Sequence, residues 1–519
     1  MTETRFKIFA NLYKDSVALM QIGATLRKRP GIVEASCVMA TPANLEQLRT
    51  ANLSVAAEVG PSDLLVVVRG EPEACDETIE AVQAMLQTSH APEHGQHDFS
   101  LPATSLAMGL EDAEKADLAL ISVPGDYAAA EAMKALSLGL HVMLFSDNVS
   151  IEEERAIKSY ALDKGLLVMG PDCGTAIING IPLGFANVVQ RGDIGLVAAS
   201  GTGLQEVTCR IHNLGAGVSQ AIGTGGRDLH DEVGGLTMLQ GVRALADDPQ
   251  TRVIVLISKP PSPAIAAKIV ELVAGSRKPA IVHFLGATPD VTGRAGLHAA
   301  ESLAGAADAA VALSRHDAIS PVSSAVATGS SRLENETNLN ALAPTQRMVR
   351  GLFTGGTFCY ETQLAFLKRS LPCRSNVPVH GALPLDGKDG THVFIDLGDD
   401  EYTRGRPHPM IDPSLRNAAV LAAADDPTVA LILFDVVLGY GAHSDPTEEL
   451  AQALRDAKAK ALAQRRSLVM IGHVCGTEGD PQNKALQITR LAAAGVHLAE
   501  SNIHAATLAA DMALRRAKL

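Results

Sequence analysis

One pattern constrains this chain more than any other, and it repeats from residue 106 onward. A short aliphatic run is followed by a turn rich in glycine or small polar residues, then by a stretch with apolar residues at helical spacing. Residues 117–123 (DLALISV), 141–145, 166–169, 194–199, 218–222, 252–257 and 280–285 carry the aliphatic part, as do 348–353, 392–395, 429–434 and 468–471. Aliphatic runs without polar alternation read as strands covered on both faces. Strands that alternate with helices in this way belong to parallel sheets with crossover connections. The chain is therefore read as α/β. Aromatic residues are only 3% and Trp is absent, so the cores must be built from Ala, Val, Leu and Ile.

The pattern divides the chain into units. Residues 1–88 carry strand signals at 5–10 and 64–69, helical spacing at 14–28 and 72–87, and a further strand signal at 32–40, which together predict a small α+β sandwich. Residues 89–105 are polar and rich in Pro and His and read as a linker, as do residues 323–344. Residues 106–190 predict a first parallel α/β unit, in which Ser150 and Glu153 form a capping box. Residues 191–322 and 345–519 predict two α/β units that repeat each other. Gly201-Thr202 and Gly356-Thr357 lie 155 residues apart, and Asp247-Asp248-Pro249 and Asp425-Asp426-Pro427 lie 178 apart, each Asp-Asp-Pro preceding a strand. Two sister units predict a pseudo-two-fold pair with one site between them.

Composition narrows the function. A net charge of −14 argues against a broad nucleic-acid footprint, but not against a local anion site. No apolar run reaches the roughly 18 residues of a membrane helix, and the first residues have no apolar signal core, so a cytoplasmic protein is expected. The seven cysteines are scattered, with no CxxC, which fits reduced thiols better than disulfides or zinc. His90, His94 and His97 in the first linker have nothing to order them as ligands, and no metal is expected there.

Ligands of open parallel sheets bind beyond the C-terminal strand ends. There the sequence places Ser200-Gly201-Thr202-Gly203 and Thr354-Gly355-Gly356-Thr357, each between a strand and a helix. Glycine lets backbone approach a ligand, and the unpaired N–H groups and dipole of a helix N-terminus favour an anion. Two such turns can hold one phosphate from two sides; tight strand-to-helix turns alone would use the same residues. Neither is a Walker A loop. Gly225, Gly226 and Arg227 add a flexible nest and a cation for a carboxylate or phosphate, unless Arg227 pairs at the surface with Asp228. Lys259, at a strand end, either reaches the same anion or is solvated. The loop after residue 396 offers Asp396, Asp399, Asp400, Glu401, Arg404, Arg406, His408 and Asp412 for acid–base work or partner binding; Asp399-Asp400 can also take Mg²⁺, or simply be an acidic turn. His443 and Asp445 are similar candidates. Cys173, beside Asp172 in GPDCGT, is a nucleophile if its pKa is lowered and an inert buried thiol otherwise.

At these turns the chain resembles succinyl-CoA synthetase and related NDP-forming acyl-CoA synthetases. GPDCGT is similar to the GPNCPG turn of that family, GDIGLVAASGTGLQE to its phosphate turn, and residues 345–519 to the last domain of its β subunit. The resemblance implies a Rossmann-like CoA-binding-type domain at residues 106–190, followed by two flavodoxin-like ligase domains at 191–322 and 345–519. It also departs from the family. Where the synthetases phosphorylate a histidine in RMGHAGA, this chain has Arg294-Ala295-Gly296-Leu297-His298-Ala299-Ala300, with Leu297 at the histidine position. On a helix that one-residue shift would turn the side chain by about 100°. Lys259 stands where the resemblance places the glutamate that steadies that histidine, and neither an ATP-grasp domain nor the first CoA-binding loop is visible. The phosphate scaffold is thus expected to remain without the phosphohistidine relay.

Over the whole chain FSDNVS, GPDCGTAIING, GTGGRDL, ISKPP, GLFTGGT, GRPHPMIDP and VLGYGAHSDP resemble the FdrA family. That resemblance implies a subunit of a carbamoyltransferase of the oxamate type, working with partner subunits on carbamoyl phosphate and a small carboxylate. In that expectation Ser200, Gly201, Thr202, Gly203, Gly355, Gly356 and Thr357 bind phosphate, Arg227 and Lys259 neutralise charge, and His408 or His443 transfers a proton. Two alternatives stand beside it: an acyl-CoA synthetase subunit that takes its ATP-grasp part from another chain, and a non-catalytic scaffold or sensor. Residual CoA or nucleotide binding stays open in either.

Overall fold

In the computed structural model the N-terminal unit grows from its mixed periods. Strands β1 (Glu3–Phe9), β2 (Ile32–Met39) and β3 (Leu64–Gly70) form an antiparallel sheet in the order β1-β3-β2. Leu64, Val66 and Val68 pack with the helices Ser16–Arg27 and Pro72–Thr88, while Leu65 and Val67 pack with Leu48 of a third helix, Pro42–Thr50. The central strand is covered on both faces, which is why LLVVV has no polar alternation. The third helix is an addition to the sequence reading. Thr41 caps it by accepting from the Asn44 N–H, and Pro42 opens it. The structure describes residues 2–88, 103–319 and 341–518, except positions 11, 13, 15, 54, 56, 58, 104, 114, 388, 389 and 405. Most of both expected linkers, and the three histidines of the first, therefore lie outside the described residues.

The Rossmann-like stretch holds a parallel sheet of β4 (Leu118–Ile121), β5 (His141–Leu144) and β6 (Val168–Met169). The Ser150–Glu153 capping box starts the helix Ile151–Lys164. The hairpin β7 (Thr175–Ile178) and β8 (Ile181–Gly184) leaves this sheet and joins the next one through β10.

The next sheet contains β9 (Arg191–Ala199), β10 (Val218–Gly223), β11 (Val253–Ser258), β12 (Ala280–Phe284) and β13 (Leu297–Ala299), in the order β13-β12-β11-β9-β10-β7-β8. The last sheet contains β14 (Met348–Phe353), β15 (Cys373–Ser375), β16 (Leu383–Pro384), β17 (His392–Asp396), β18 (Val429–Val437), β19 (Val469–Cys475) and β20 (His497–Ala499), in the order β16-β15-β17-β14-β18-β19-β20. With the hairpin and β15-β16 set aside, both sheets have parallel strands in the flavodoxin order 2-1-3-4-5. One continuous apolar core runs through both units, from Leu196 and Val207 to Phe353, Phe358 and Leu508.

The repeat extends to buried polar groups. Glu206, on the helix Gly201–Asn213, accepts from the Asn502 N–H (3.2 Å); Glu361, 155 residues later on the helix Gly356–Leu367, accepts from the Leu303 N–H (3.0 Å). His473 Nδ1 lies 3.2 Å from the Ala499 carbonyl, and His283 Nδ1 lies 2.9 Å from the Ala300 carbonyl. Each unit thus turns a helix carboxylate into its sister. Among the described residues no helix is long and apolar enough to cross a membrane.

Candidate functional site

The switch point of each flavodoxin-like sheet lies at the end of its first strand, and the pseudo-symmetry brings the two together. The turn after β9 begins the helix Gly201–Asn213, with Ser200 as cap accepting from the Gly203 N–H at 3.0 Å. The turn after β14 begins the helix Gly356–Leu367. Ser200 Oγ and Thr357 Oγ1 are 2.6 Å apart, so two helix N-termini converge on one point. Asp435, at the buried end of β18, holds the second turn. Its carboxylate accepts from Thr354 N–H (2.7 Å), Thr354 Oγ1 (2.9 Å) and Gly355 N–H (2.8 Å). The sequence reading missed Asp435, whose signal was a lone acid closing the run VALILF.

A cavity of about 590 Å³ opens over this junction. Ser200, Gly201, Thr202, Gly225, Gly226, Asp172, Cys173, Lys259, Gly356, Thr357, Asp400, Arg406 and His408 all line it, as does Arg404. Gly203, Gly355 and Asp399 lie behind the lining. Gly355 packs so closely on the sister turn that a Cβ there would meet Thr202 Cγ2 at 3.0 Å, and Asp399 caps the short helix Asp400–Thr403 by accepting from the Glu401 N–H.

Burial, then the carboxylates of Asp147 and Asp400, push Asp172 up to about 6, with Lys259 opposing the rise. Burial likewise pushes Asp396 up to about 7, again against Lys259. Asp396 sits directly behind Gly356, where an added Cβ would come within 2.5 Å of Oδ2. His408 is held down to about 4 by burial. Its Nδ1 accepts from the Met410 N–H (3.2 Å), so the neutral ring carries its proton on Nε2. It is placed to donate a hydrogen bond, not to act as a base.

Other expectations need correction. Arg227 is not a free anion ligand and does not pair with Asp228. It donates to the Val149 carbonyl (2.7 Å) and pairs with Glu154 (3.0 Å), while Asp228 is buried with Lys158, which also binds Glu154. These ties fasten the 223–228 loop to the helix Ile151–Lys164. His443 is outside the cavity, with Nδ1 accepting from the Asp445 N–H and Nε2 3.2 Å from Lys28 Nζ. His298 lies on strand β13, not on a helix, and does not line the cavity. Its one-residue offset therefore reverses the side chain to the opposite face of a strand. Cys173 is buried and its thiol is pushed up to about 12, so it is the inert thiol and not a nucleophile. All seven cysteines are buried, and native protein treated with iodoacetamide at pH 8 is expected to take up no label by mass spectrometry until denatured. Rapid labelling of Cys173 in the native state would contradict this assignment. Among the described residues no three His, Cys, Asp or Glu are placed to hold a metal ion, so Asp399-Asp400 gains no support as a Mg²⁺ site.

Two matched turns on sister sheets meet over one cavity, in domains of the CoA-binding and CoA-ligase types. The CoA-ligase profile matches residues 352–512 and the CoA-binding domain profile residues 189–286. A profile described as the AllF heavy metal-associated domain matches residues 1–100. The chain belongs to the FdrA-like family: it is 41% identical to YahF of Escherichia coli (strain K12) over 513 residues, covering 96% of this chain and 97% of that one. It is also 29% identical to the α subunit of ADP-forming succinate–CoA ligase of Aquifex aeolicus, over 28% of this chain and 48% of that one. With the α subunit of malate–CoA ligase of Methylorubrum extorquens it shares 25% identity, over 42% and 74%. Among solved structures, the apo acetyl-coenzyme A synthetase 1 of Ca. Korarchaeum cryptofilum aligns over 82% of this chain and 89% of that one, with 16% identity and a TM-score of 0.34. The expectation of a carbamoyltransferase is overturned, because the matched domains are of the CoA-binding and CoA-ligase types and the succinate–CoA and malate–CoA relatives are CoA ligases.

The turn after β4 carries a single glycine, Gly125. After β4 the chain runs Ser122-Val123-Pro124-Gly125-Asp126, the Gly125 backbone is packed against the carbonyls of Asp147 and Asn148, and the Asp126 and Asp147 carboxylates share that wall of the cavity.

Proposed function

We propose that this chain is the acyl-phosphate-holding component of an acyl-CoA synthetase-like enzyme, working with a partner subunit that handles nucleotide. The contact of Ser200 with Thr357, which aims two helix N-termini into one cavity beside Lys259, carries this reading. In it the phosphate sits between the turns at Gly201-Thr202 and Gly356-Thr357, since the Gly355 N–H is already given to Asp435. Their N–H groups and Lys259 stabilise the negative charge that phosphate gains as the acyl–oxygen bond breaks. His408 Nε2–H donates to the bound group. Asp396, whose carboxyl titrates near neutrality, gives or takes the proton of the phosphate. CoA, when bound, supplies the thiol that accepts the acyl group. An apolar pocket of about 410 Å³, bounded by Leu120, Phe145 and Phe185, adjoins the cavity and suits an uncharged arm.

Calorimetric titration of the full chain with methylphosphonate, CoA and ADP tests the reading. Binding of methylphosphonate together with CoA supports it. Binding of neither, with or without candidate partner subunits, sinks it in favour of a scaffold. The Asp396 carboxyl adds a pH dependence of definite sign. Protonated below about pH 7, it tolerates an anion; ionised above, it repels one. Sulfate stays a dianion across this range, so its affinity is expected to fall about tenfold between pH 6 and pH 8, a difference of about 1.4 kcal/mol. Asp396→Asn should make that profile shallower, leaving the share of Asp172, which lines the same cavity and is pushed up to about 6, and a wild-type profile that is already flat would exclude Asp396 from the site.

A further inference from the structure

The N-terminal unit has no assigned role in ligation, and its matched profile carries the words heavy metal-associated. Its donor set does not fit a metal: the chain has no CxxC, Cys37 is buried within the core of this unit, and no metal-ligating cluster occurs among the described residues. The unit is instead docked onto the unit of residues 345–519 at the edge of the cavity. Arg27, at the end of its first helix, pairs with the buried Asp412 at 2.9 Å; Lys28 pairs with Glu449 at 3.1 Å; and Glu34 receives Arg406 at 3.4 Å. Docked in this way, it presents polar groups to the cavity that faces the phosphate turns. Ser36, Thr41, Asn44 and Gln47 all line it.

These groups keep spare hydrogen-bonding capacity. Thr41 Oγ1 accepts from the Asn44 N–H, which leaves its hydroxyl hydrogen to donate. Asn44 Nδ2 donates to the Met39 carbonyl, which leaves its carbonyl oxygen. The Gln47 amide has no partner among the described residues, and neither does the guanidinium of Arg404, across the cavity on the 396–413 loop. Lys259 already faces the phosphate turns. Arg404 is therefore a second uncommitted cation in the same cavity, on the side closed by the N-terminal unit.

We infer that the N-terminal unit is the substrate-reading wall of this cavity, and that with Arg404 it recognises a carboxylate at the far end of a short acyl phosphate. The inference rests on the acyl-phosphate reading and adds the end of the substrate that the phosphate turns cannot read. It assigns a specificity role to residues 36–47, which belong to neither ligase-type unit.

Two probes separate the inference from the reading beneath it. Methylphosphonate has only the phosphate-like end; phosphonoacetate has a carboxylate as well. In the full-length wild-type chain, calorimetry is expected to show phosphonoacetate binding at least about tenfold tighter, the usual worth of one hydrogen-bonded charge. Arg404→Gln and Gln47→Leu should each remove most of that advantage and leave methylphosphonate affinity within about twofold, as expected for lost hydrogen bonds that touch only the tail. Gln47 is a half-buried helix residue without a partner, so this variant is expected to keep its thermal unfolding midpoint. An advantage that persists in both variants overturns the inference while the phosphate site stands. Failure of both probes to bind wild type removes the acyl-phosphate reading and the inference with it.

Discussion

Gly356→Val is expected to abolish anion binding and leave the chain folded. The reason is space, not backbone freedom. Gly356 is the first residue of the helix Gly356–Leu367, and a Cβ there would lie 2.5 Å from Asp396 Oδ2. The valine methyl groups must either displace the Asp396 carboxyl or fill the point where the two turns meet. Both outcomes remove the converging N–H groups from an anion, and the expected loss in methylphosphonate or sulfate affinity is about a hundredfold or more, as for deleting preorganised donors. The cost in stability is expected at about 1–3 kcal/mol, typical of overpacking, which leaves the thermal transition cooperative. Gly201→Ala provides the internal comparison: its Cβ would meet only Thr175 Oγ1, at 3.4 Å, and it should bind within a few-fold of wild type. Unchanged binding by Gly356→Val would show that the 355–357 turn is not part of the anion site.

Much of the fold was legible because its strands are buried on both faces. VIVLIS and ALILF cannot alternate when helices cover both sides, and such runs are unmistakable. The repeat was legible through Asp-Asp-Pro because the tripeptide makes the same turn twice. Asp248 accepts from Gln250 N–H and Thr251 Oγ1, and Asp426 from Thr428 N–H and Thr428 Oγ1. The two glycine turns of the site followed from the same strand-to-helix logic. What escaped were pairings set by distance along the chain. Nothing near Arg227 announces Glu154 as its partner, and two histidines in equally polar loops, His408 and His443, differ only in which way their loops fold. The docking of residues 36–47 over the cavity is likewise a tertiary fact, because their polar groups read locally as an ordinary strand and helix start. The expectation of a carbamoyltransferase came from resemblance alone, without any residue whose geometry could distinguish a carbamoyl group from another acyl group.

The charge pair that joins the two sister units should be the most costly polar contact to break. His473 Nε2 and Glu206 lie 2.7 Å apart and both are buried. Burial alone would lower the histidine and raise the glutamate. The mutual attraction overrides it, holding His473 up at about 10 and Glu206 below its ordinary value. Removing one partner leaves the other uncompensated in the shared core, and His473→Ala, which strands a carboxylate, is expected to cost about 3–5 kcal/mol in urea unfolding. Glu206→Gln keeps the shape and lets His473 become neutral, so its cost should be smaller. The pH dependence carries the sign. A histidine raised from 6.5 contributes fully below that value and loses its contribution as pH rises towards 10. The depressed Glu206 contributes above its ordinary 4.5 and loses its share as pH falls through its lower folded value. The deficit of Glu206→Gln relative to wild type should therefore be largest between pH 4.5 and 6.5 and shrink steadily from pH 7 to pH 10. The sister position sharpens the test. Glu361 is pushed up to about 7 by burial and accepts from Asn502, while His283 Nε2 has no partner among the described residues, so the second half of the repeat keeps the carboxyl without the charge pair. Glu361→Gln is accordingly expected to cost less than Glu206→Gln at pH 6 and to show no such decline towards pH 10. Equal costs, or a Glu206→Gln deficit independent of pH, would mean that the shared apolar core, and not this pair, fixes how the helices Gly201–Asn213 and Gly356–Leu367 face each other.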